Sequence, residues 1–186
     1  MLPCLLALWG NWCMHADPAR PLFDFSQATA ASRWQAVNDG VMGGISRGVF
    51  RVTPAGLLEF TGNLSLENNG GFASIRSKPS NMGLKSTDTL LIKLKGDGRD
   101  YSLNLYLNRP LMAFSYRASF STKKDQWLEI RAPLANFVAT SFGREIVDAG
   151  PVNPAEIIGV GFMLSDKKPG PFRLEIESIQ AVSPAP

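Results

Sequence analysis

Residues 34–76 hold the most unusual part of the sequence, and they read WQAVNDGVMGGISRGVFRVTPAGLLEFTGNLSLENNGGFASIR. The stretch holds two glycine-rich loops, at 39–44 and 68–71, on either side of a segment in which apolar and polar residues alternate. The apolar positions in that segment are Leu58, Phe60, Leu64 and Leu66. A period of two predicts a strand over 57–66 that buries one face and leaves the other in water. The Pro54-Ala55-Gly56 turn separates this segment from a second one at 48–52, so we predict that the two pair as a hairpin. Both glycine loops then lie at sheet ends.

The same period of two recurs along the rest of the chain. It predicts further strands at 22–25, 72–76, 89–95, 101–107, 114–120, 127–131, 158–164 and 172–176. Gly96-Asp97-Gly98 predicts a tight turn because Asp-Gly readily adopts positive φ, and 28–33 could form one helical turn. No long segment shows the period of a helix. Roughly ten short strands divided by glycine and proline turns predict an all-β sandwich or jelly roll.

A chain of 186 residues, 45% of them apolar, is long enough for one domain with a sizeable core. We expect that domain at 21–182, a disordered tail at 183–186, and an N-terminal tail or weak signal-like segment at 1–20. The apolar run at 1–9 has no preceding basic residue and is too short to span a membrane. Export by a weak signal and an interfacial or poorly ordered tail are both open. A cytoplasmic location, or one peripheral to a membrane, is favoured.

The charge of the chain bears on its partners. The formal net charge is +3, and no basic run exceeds two residues. A nucleic-acid interface normally concentrates more positive charge on one surface. We therefore predict no nucleic-acid partner.

Side chains that carry chemistry are scarce. Cys4, Cys13 and His15 lie within the first sixteen residues, and neither residue type occurs afterwards. Most zinc, copper and iron sites are thereby excluded from the domain, and we predict no cofactor and no metal, with calcium left open because it needs only oxygen ligands. Residues 44–48 match G-x-S-x-G, but a strand and no histidine follow Ser46. We predict a turn residue there, and a protein that is not an enzyme.

The paired glycine loops predict a polar recognition edge. Rigid scaffolds commonly carry functional residues on such loops. The alternative is that the glycines serve backbone turns, for instance at Gly43, and that Asp39 and Arg76 brace the loops internally rather than face a partner. The candidate binding residues are Trp34, Asn38, Asp39, Met42, Asn68, Asn69, Arg76 and Tyr106.

These motifs carry a resemblance to a known family. Trp34 and the run at 38–46 resemble the signature of the complex I intermediate-associated protein family. Further motifs follow in that family's order, among them Asn69-Gly70-Gly71-Phe72-Ala73-Ser74, Gly96-Asp97-Gly98-Arg99, Ile158-Gly159-Val160-Gly161-Phe162 and Gly170-Pro171-Phe172. The resemblance covers about 22–182. It implies a galactose-binding-like jelly roll, similarity to an assembly factor of NADH:ubiquinone oxidoreductase, and no catalytic residues to transfer.

Two classes of function compete. The first is a non-enzymatic module that binds a protein partner, such as a subunit of a membrane-associated respiratory or photosynthetic complex. The second is a module that binds a carbohydrate or another small ligand, which exposed aromatic rings would favour. The candidate rings are Trp34, Tyr106, Tyr116 and Trp127. By alternation we expect Tyr116 in the core and Tyr106 on a polar face. We favour the protein-binding function, mainly because of the resemblance.

Overall fold

The computed structural model describes residues 19–27, 29–108 and 114–184. In this part of the chain there are thirteen strands: β1 Arg20–Phe23, β2 Trp34–Asn38, β3 Arg47–Val52, β4 Leu58–Leu64, β5 Ala73–Ser77, β6 Thr89–Lys95, β7 Asp100–Leu107, β8 Phe114–Ser121, β9 Trp127–Pro133, β10 Val138–Ser141, β11 Arg144–Glu145, β12 Ile157–Leu164 and β13 Gly170–Val182. Short 3-10 helices lie between some of them, at Ala30–Arg33, Asp39–Met42, Glu67–Asn69, Leu134–Asn136, Val147–Ala149 and Pro154–Glu156.

The strands form two antiparallel sheets. The six-stranded sheet has the order β3-β4-β13-β6-β9, with β1 also paired to β13. The seven-stranded sheet has the order β11-β10-β8-β7-β12-β5-β2. The two sheets pack face to face, so the fold is the expected all-β jelly-roll sandwich.

The core lies between the sheets and follows the alternation of the sequence. In β4, Leu58, Phe60 and Leu64 are fully buried, as predicted. Leu66 differs: β4 ends at Leu64, and the Leu66 side chain is 43% exposed. The alternation therefore continues in the sequence beyond the end of the strand. Other large buried side chains are Ile75, Leu90, Ile92, Tyr101, Leu103, Tyr116 and Phe162.

Most predicted strands are present, with shifted ends. The hairpin is confirmed, since β3 pairs with β4 from Arg47 opposite Asn63 to Val52 opposite Leu58. Three strands were missed, namely β2, β10 and β11. The tight turn after β6 is present, with Gly98 at φ +92°, but β6 and β7 belong to different sheets. That turn therefore carries the chain across the sandwich.

Ion pairs line the outer face of the six-stranded sheet, by which we mean the face turned away from the core. Glu59 pairs with Arg51 at 2.6 Å and with Arg173 at 2.7 Å. Glu175 pairs with Lys95 at 2.7 Å and with Arg173 at 2.9 Å. Both glutamates are almost fully buried, at 5% and 6% exposure. Acidic and basic groups thus neutralise one another on this face.

The predicted N-terminal segment at 1–20 falls almost entirely outside the described residues, as does part of the predicted tail at 183–186. The described strands run from Arg20 to Val182. Among the described residues there is no helix long and apolar enough to cross a membrane.

Candidate functional site

Two loops cross between the sheets at the same edge of the sandwich. Residues 39–46, the first crossing loop, lead from β2 in the seven-stranded sheet to β3 in the six-stranded sheet. Residues 65–72, the second crossing loop, lead back from β4 to β5. The loops lie side by side because β3 pairs with β4 and β2 pairs with β5. These are the two glycine-rich loops of the sequence.

The carboxylate of Asp39 ties the two crossing loops together. It is fully buried, and its Oδ1 accepts a hydrogen bond from the backbone amide of Ser46 at 2.9 Å. Its Oδ2 accepts hydrogen bonds from the Ser46 hydroxyl at 2.5 Å, the Gly71 amide at 2.7 Å and the Phe72 amide at 3.3 Å. One side chain therefore satisfies donors from both loops.

Burial alone would raise the pKa of Asp39. The hydrogen bonds from the Ser46 side chain and from the amides of Gly71, Phe72 and Ser46 outweigh burial and lower this pKa below its ordinary value. Asp39 is thus ionised at neutral pH. Two glycines make room for the carboxylate: a side chain at Gly44 would collide with it, and a Cβ at Gly70 would lie 2.7 Å from Oδ2.

Ser46 adds a second link between the loops. Besides donating to Asp39, its Oγ accepts a hydrogen bond from the backbone amide of Ser65 at 3.0 Å. Strand β3 begins at the next residue, Arg47. A nucleophile elbow needs a strand-to-helix turn, so the G-x-S-x-G match is a structural turn, as the sequence predicts.

The crossing loops expose apolar side chains. Val41 and Met42 are 76% and 52% exposed, and Ile45 is 48% exposed on the same loop. Leu66 adds a fourth exposed apolar side chain from the second crossing loop. We call these four residues the loop patch. Exposed apolar side chains grouped on one loop pair are typical of interaction sites.

The predicted binding residues divide into several locations. Met42, Asn68 and Asn69 are exposed on the crossing loops, and both asparagines hold positive φ, at 55° and 57°. Asn38 is half-buried, and its Nδ2 donates to the Gly48 carbonyl at 3.0 Å. The expectation of an exposed charge at Asp39 is wrong. The alternative prediction, that Asp39 braces the loops internally, agrees with the position of this residue.

The other three predicted residues do not belong to the loop edge. Trp34 is 3% exposed and packs in the core against Phe23 and Phe25. Arg76 does not brace the loops. It lies on the outer face of the seven-stranded sheet, where its guanidinium stacks over the Tyr106 ring at 4.6 Å from the ring centre.

The four candidate rings do not form a common platform. Trp34 and Tyr116 are buried in the core, Tyr106 is covered by Arg76, and Trp127 lies on the other sheet beneath the Lys93 and Lys95 ammonium groups. A groove of about 430 Å³ between β8, β9 and β10 has one ring in its lining, Phe120. In the described part of the chain, these four rings therefore do not supply the set of exposed rings that would favour a carbohydrate site.

Sequence reasoning missed Val41, Ile45 and Leu66 as candidate binding residues. The signal available for the first two was an apolar side chain inside a glycine-rich turn, where no strand face could bury it. Leu66 gave no such signal, because it continues the alternation of β4.

The fold defines a jelly-roll β-sandwich protein, with two loops tied across one edge. The sequence model of the family described as complex I intermediate-associated protein 30 matches residues 23–176. This chain belongs to that family.

Two relatives show how far the likeness extends. The mitochondrial complex I intermediate-associated protein 30 of Mus musculus is 34% identical over 97 residues, which are 50% of this chain and 29% of that protein. The protein of the same name from Drosophila melanogaster is 26% identical over 180 residues, 85% of this chain and 61% of that protein. The chain thus spans less than two thirds of either relative's length.

Among solved structures, the family 11 carbohydrate-binding module of the cellulase Lic26A-Cel5E of Clostridium thermocellum is similar. It superposes with a TM-score of 0.65 at 13% identity and covers 89% of this chain and 94% of the module. At that identity the likeness shows a shared fold and nothing about a shared ligand.

Proposed function

We propose that this chain is a non-enzymatic protein-binding module that acts in the assembly of a complex of the NADH:ubiquinone oxidoreductase type. The names of the family and of its relatives support this role. Its partner is a subunit of that membrane-associated complex, bound by the loop patch. The module then works at the surface of a membrane rather than within it.

The observation that carries the proposal is the exposure of four apolar side chains on the crossing loops. Fully burying one such side chain is worth roughly 1.5–3 kcal/mol. A partner that covers Val41, Met42 and Ile45 therefore gains a substantial part of its binding free energy from three neighbouring positions. Such contacts dominate interfaces when they are central and well packed.

Asp39 contributes to this binding without touching the partner. Its hydrogen bonds to Ser46, Gly71 and Phe72 hold the crossing loops in one arrangement. A loop that is already ordered loses less conformational entropy on binding. Asp39 is thus a positioning residue, and the loop patch supplies the contact.

Partner capture tests the proposal. The tagged chain is incubated with solubilised native membranes, and co-purified subunits of the oxidoreductase are quantified for the unchanged chain and for the Met42→Ser/Ile45→Ser variant. We expect capture to fall about tenfold or more, as for the loss of about 1.4 kcal/mol or more of binding free energy. The melting temperature should change little, because these side chains are exposed.

Phe142→Ser is the matched control. Phe142 is 80% exposed between β10 and β11, at the opposite edge of the seven-stranded sheet, and this variant should capture the subunits normally. An equal loss in both variants would contradict the loop patch as the docking site. Capture of no oxidoreductase subunit by the unchanged chain would contradict the assembly role itself.

Carbohydrate binding is the second candidate, supported by the architecture shared with carbohydrate-binding modules. The placement of the four rings does not favour it. Titration with a β-1,3-1,4-mixed-linked tetrasaccharide, the ligand seen with a related module, is the direct test. Saturable binding of this sugar would favour the second candidate.

A further inference from the structure

The outer face of the seven-stranded sheet carries a row of polar residues that the proposed function does not use. Arg76 of β5 lies opposite Gly161 of β12, Gly161 lies opposite Asn104 of β7, and Asn104 lies opposite Arg117 of β8. Residues directly opposite in antiparallel strands share one face. Two arginines thus lie at the ends of a row four strands wide. Tyr106 lies two residues from Asn104, on the same face.

Three hydrogen-bond donors in this row are buried without a partner. They are the Arg76 Nε, the Asn104 Nδ2 and the Tyr106 hydroxyl. The Oδ1 of Asn104 already accepts a hydrogen bond from Arg117 Nε at 3.1 Å, so its amide group is left to donate. A buried donor without a partner lowers the stability of the folded chain, because it has lost its hydrogen bonds to water. Three such donors on one face call for an acceptor.

Among the described residues, neither arginine has an acidic partner. In the described part of the chain, no Asp or Glu forms a salt bridge with Arg76 or Arg117. The second guanidinium contact of Arg117 is to the sulfur of Met163, at 3.3 Å. The outer face of the six-stranded sheet is different, because there Glu59 and Glu175 neutralise their basic neighbours.

The charges of this row also act on its titratable groups. Burial raises the pKa of Tyr106, and the charges of Arg76 and Arg117 lower it, so both guanidinium groups lie within electrostatic reach of the hydroxyl. Burial lowers the pKa of Arg117, because a partly buried guanidinium is less well solvated than one in water. A partly desolvated pair of cations is stabilised by an anion.

We propose that Arg76, Asn104, Tyr106 and Arg117 form a binding site for the phosphate group of a small ligand. A phosphate dianion neutralises both arginines and accepts hydrogen bonds from all the free donors. A single carboxylate would leave one of the two positive charges uncompensated. Arg76 covers the Tyr106 ring, and its long side chain must swing aside to admit the ligand. The site is independent of the loop patch.

Inorganic phosphate is the probe, with acetate as the carboxylate comparison, and binding is followed by calorimetric titration and by the shift in melting temperature. We expect saturable phosphate binding, a much weaker effect of acetate, and a loss of about tenfold or more in affinity for Arg117→Gln and Arg76→Gln. Arg131→Gln is the matched control for charge. Its side chain is 65% exposed beside Glu129 on the other sheet, and this variant should bind phosphate normally.

Tyr106→Phe separates a binding role from a structural one. The hydroxyl has no partner to lose, so this variant should be as stable as the unchanged chain or more stable, yet bind phosphate several-fold more weakly. No saturable phosphate binding, binding equally strong with acetate, or a loss no greater in Arg117→Gln than in Arg131→Gln would each overturn the proposal. Unchanged phosphate affinity in both Tyr106→Phe and Arg76→Gln would also overturn the proposal.

Discussion

At the scale of single residues, Asp39 accepts four hydrogen bonds in a space closed to water. Asp39→Asn keeps the shape of the side chain but replaces one acceptor oxygen with an amide nitrogen, which donates. In the unchanged chain Oδ2 accepts three of the four hydrogen bonds. Because hydrogen bonds to charged groups contribute about 1.5–3 kcal/mol, we expect Asp39→Asn to lose about 2–4 kcal/mol of unfolding free energy in urea titrations. Asp148→Asn, on an exposed turn, removes the same charge and should stay within about 0.5 kcal/mol.

The same residue makes stability depend on pH. The pKa of Asp39 is lower in the folded protein than its ordinary value of 3.8, so the unfolded chain takes up the proton first as the pH falls. The stabilisation is complete above the unfolded pKa and is lost as the pH falls through the folded pKa. We expect the stability gap between the unchanged chain and Asp39→Asn to be constant from about pH 7 to 5 and to narrow below about pH 4. A gap that grows on acidification would contradict an ionised Asp39.

At the scale of elements, the first crossing loop turns at Gly43, where φ is +87°. A Cβ there would meet no atom within 4 Å, and the same holds at Gly40, whose φ is not in the left-handed region. Gly43→Ala therefore suffers backbone strain alone, and we expect a loss of about 1–2 kcal/mol of unfolding free energy. Gly40→Ala should be neutral or gain up to about 1 kcal/mol. Equal thermal midpoints for the two variants would argue against this loop conformation.

Strands were predictable where one face is apolar and the other polar. The hairpin of β3 and β4, and strand β7, show this pattern clearly. Strand β2 lacks it, because Ala36 and Val37 are adjacent apolar residues and polar Asn38 falls on the face of Trp34. Pairing with β5 rather than local alternation holds β2 in the sheet. The two-residue strand β11 exists through its pairing with β10. Such strands depend on neighbours that are distant in the sequence or on a tight turn.

The location of the candidate site could be predicted from the sequence, but the contacts that its residues make could not. Glycine spacing indicated the paired loops, but nothing in the sequence showed that Asp39 points inward, since an aspartate in a glycine loop is usually exposed. Arg76 was grouped with the loops because it is near them in the chain. It lies opposite Gln35, while Asn38 at the start of the loop lies opposite Ala73. The partner of Arg117 depends on strand register, which alternation alone does not give.

At the scale of the whole molecule, the described chain is made of strands, with helical structure limited to 3-10 turns of at most four residues. We expect far-UV circular dichroism of the full chain to be dominated by β structure. A helical fraction above about one third, the average for globular proteins, would contradict the sandwich.

The central position of β13 has a consequence for synthesis on the ribosome. This strand pairs with β1, β4 and β6, which are all translated much earlier. Until β13 emerges, the six-stranded sheet exists at most as two separate strand pairs, β3 with β4 and β6 with β9, and β1 has no partner. Unpaired strand edges attract other chains. The nascent protein therefore depends on β13 to close the six-stranded sheet, and chaperones that shield strand edges would act during that interval.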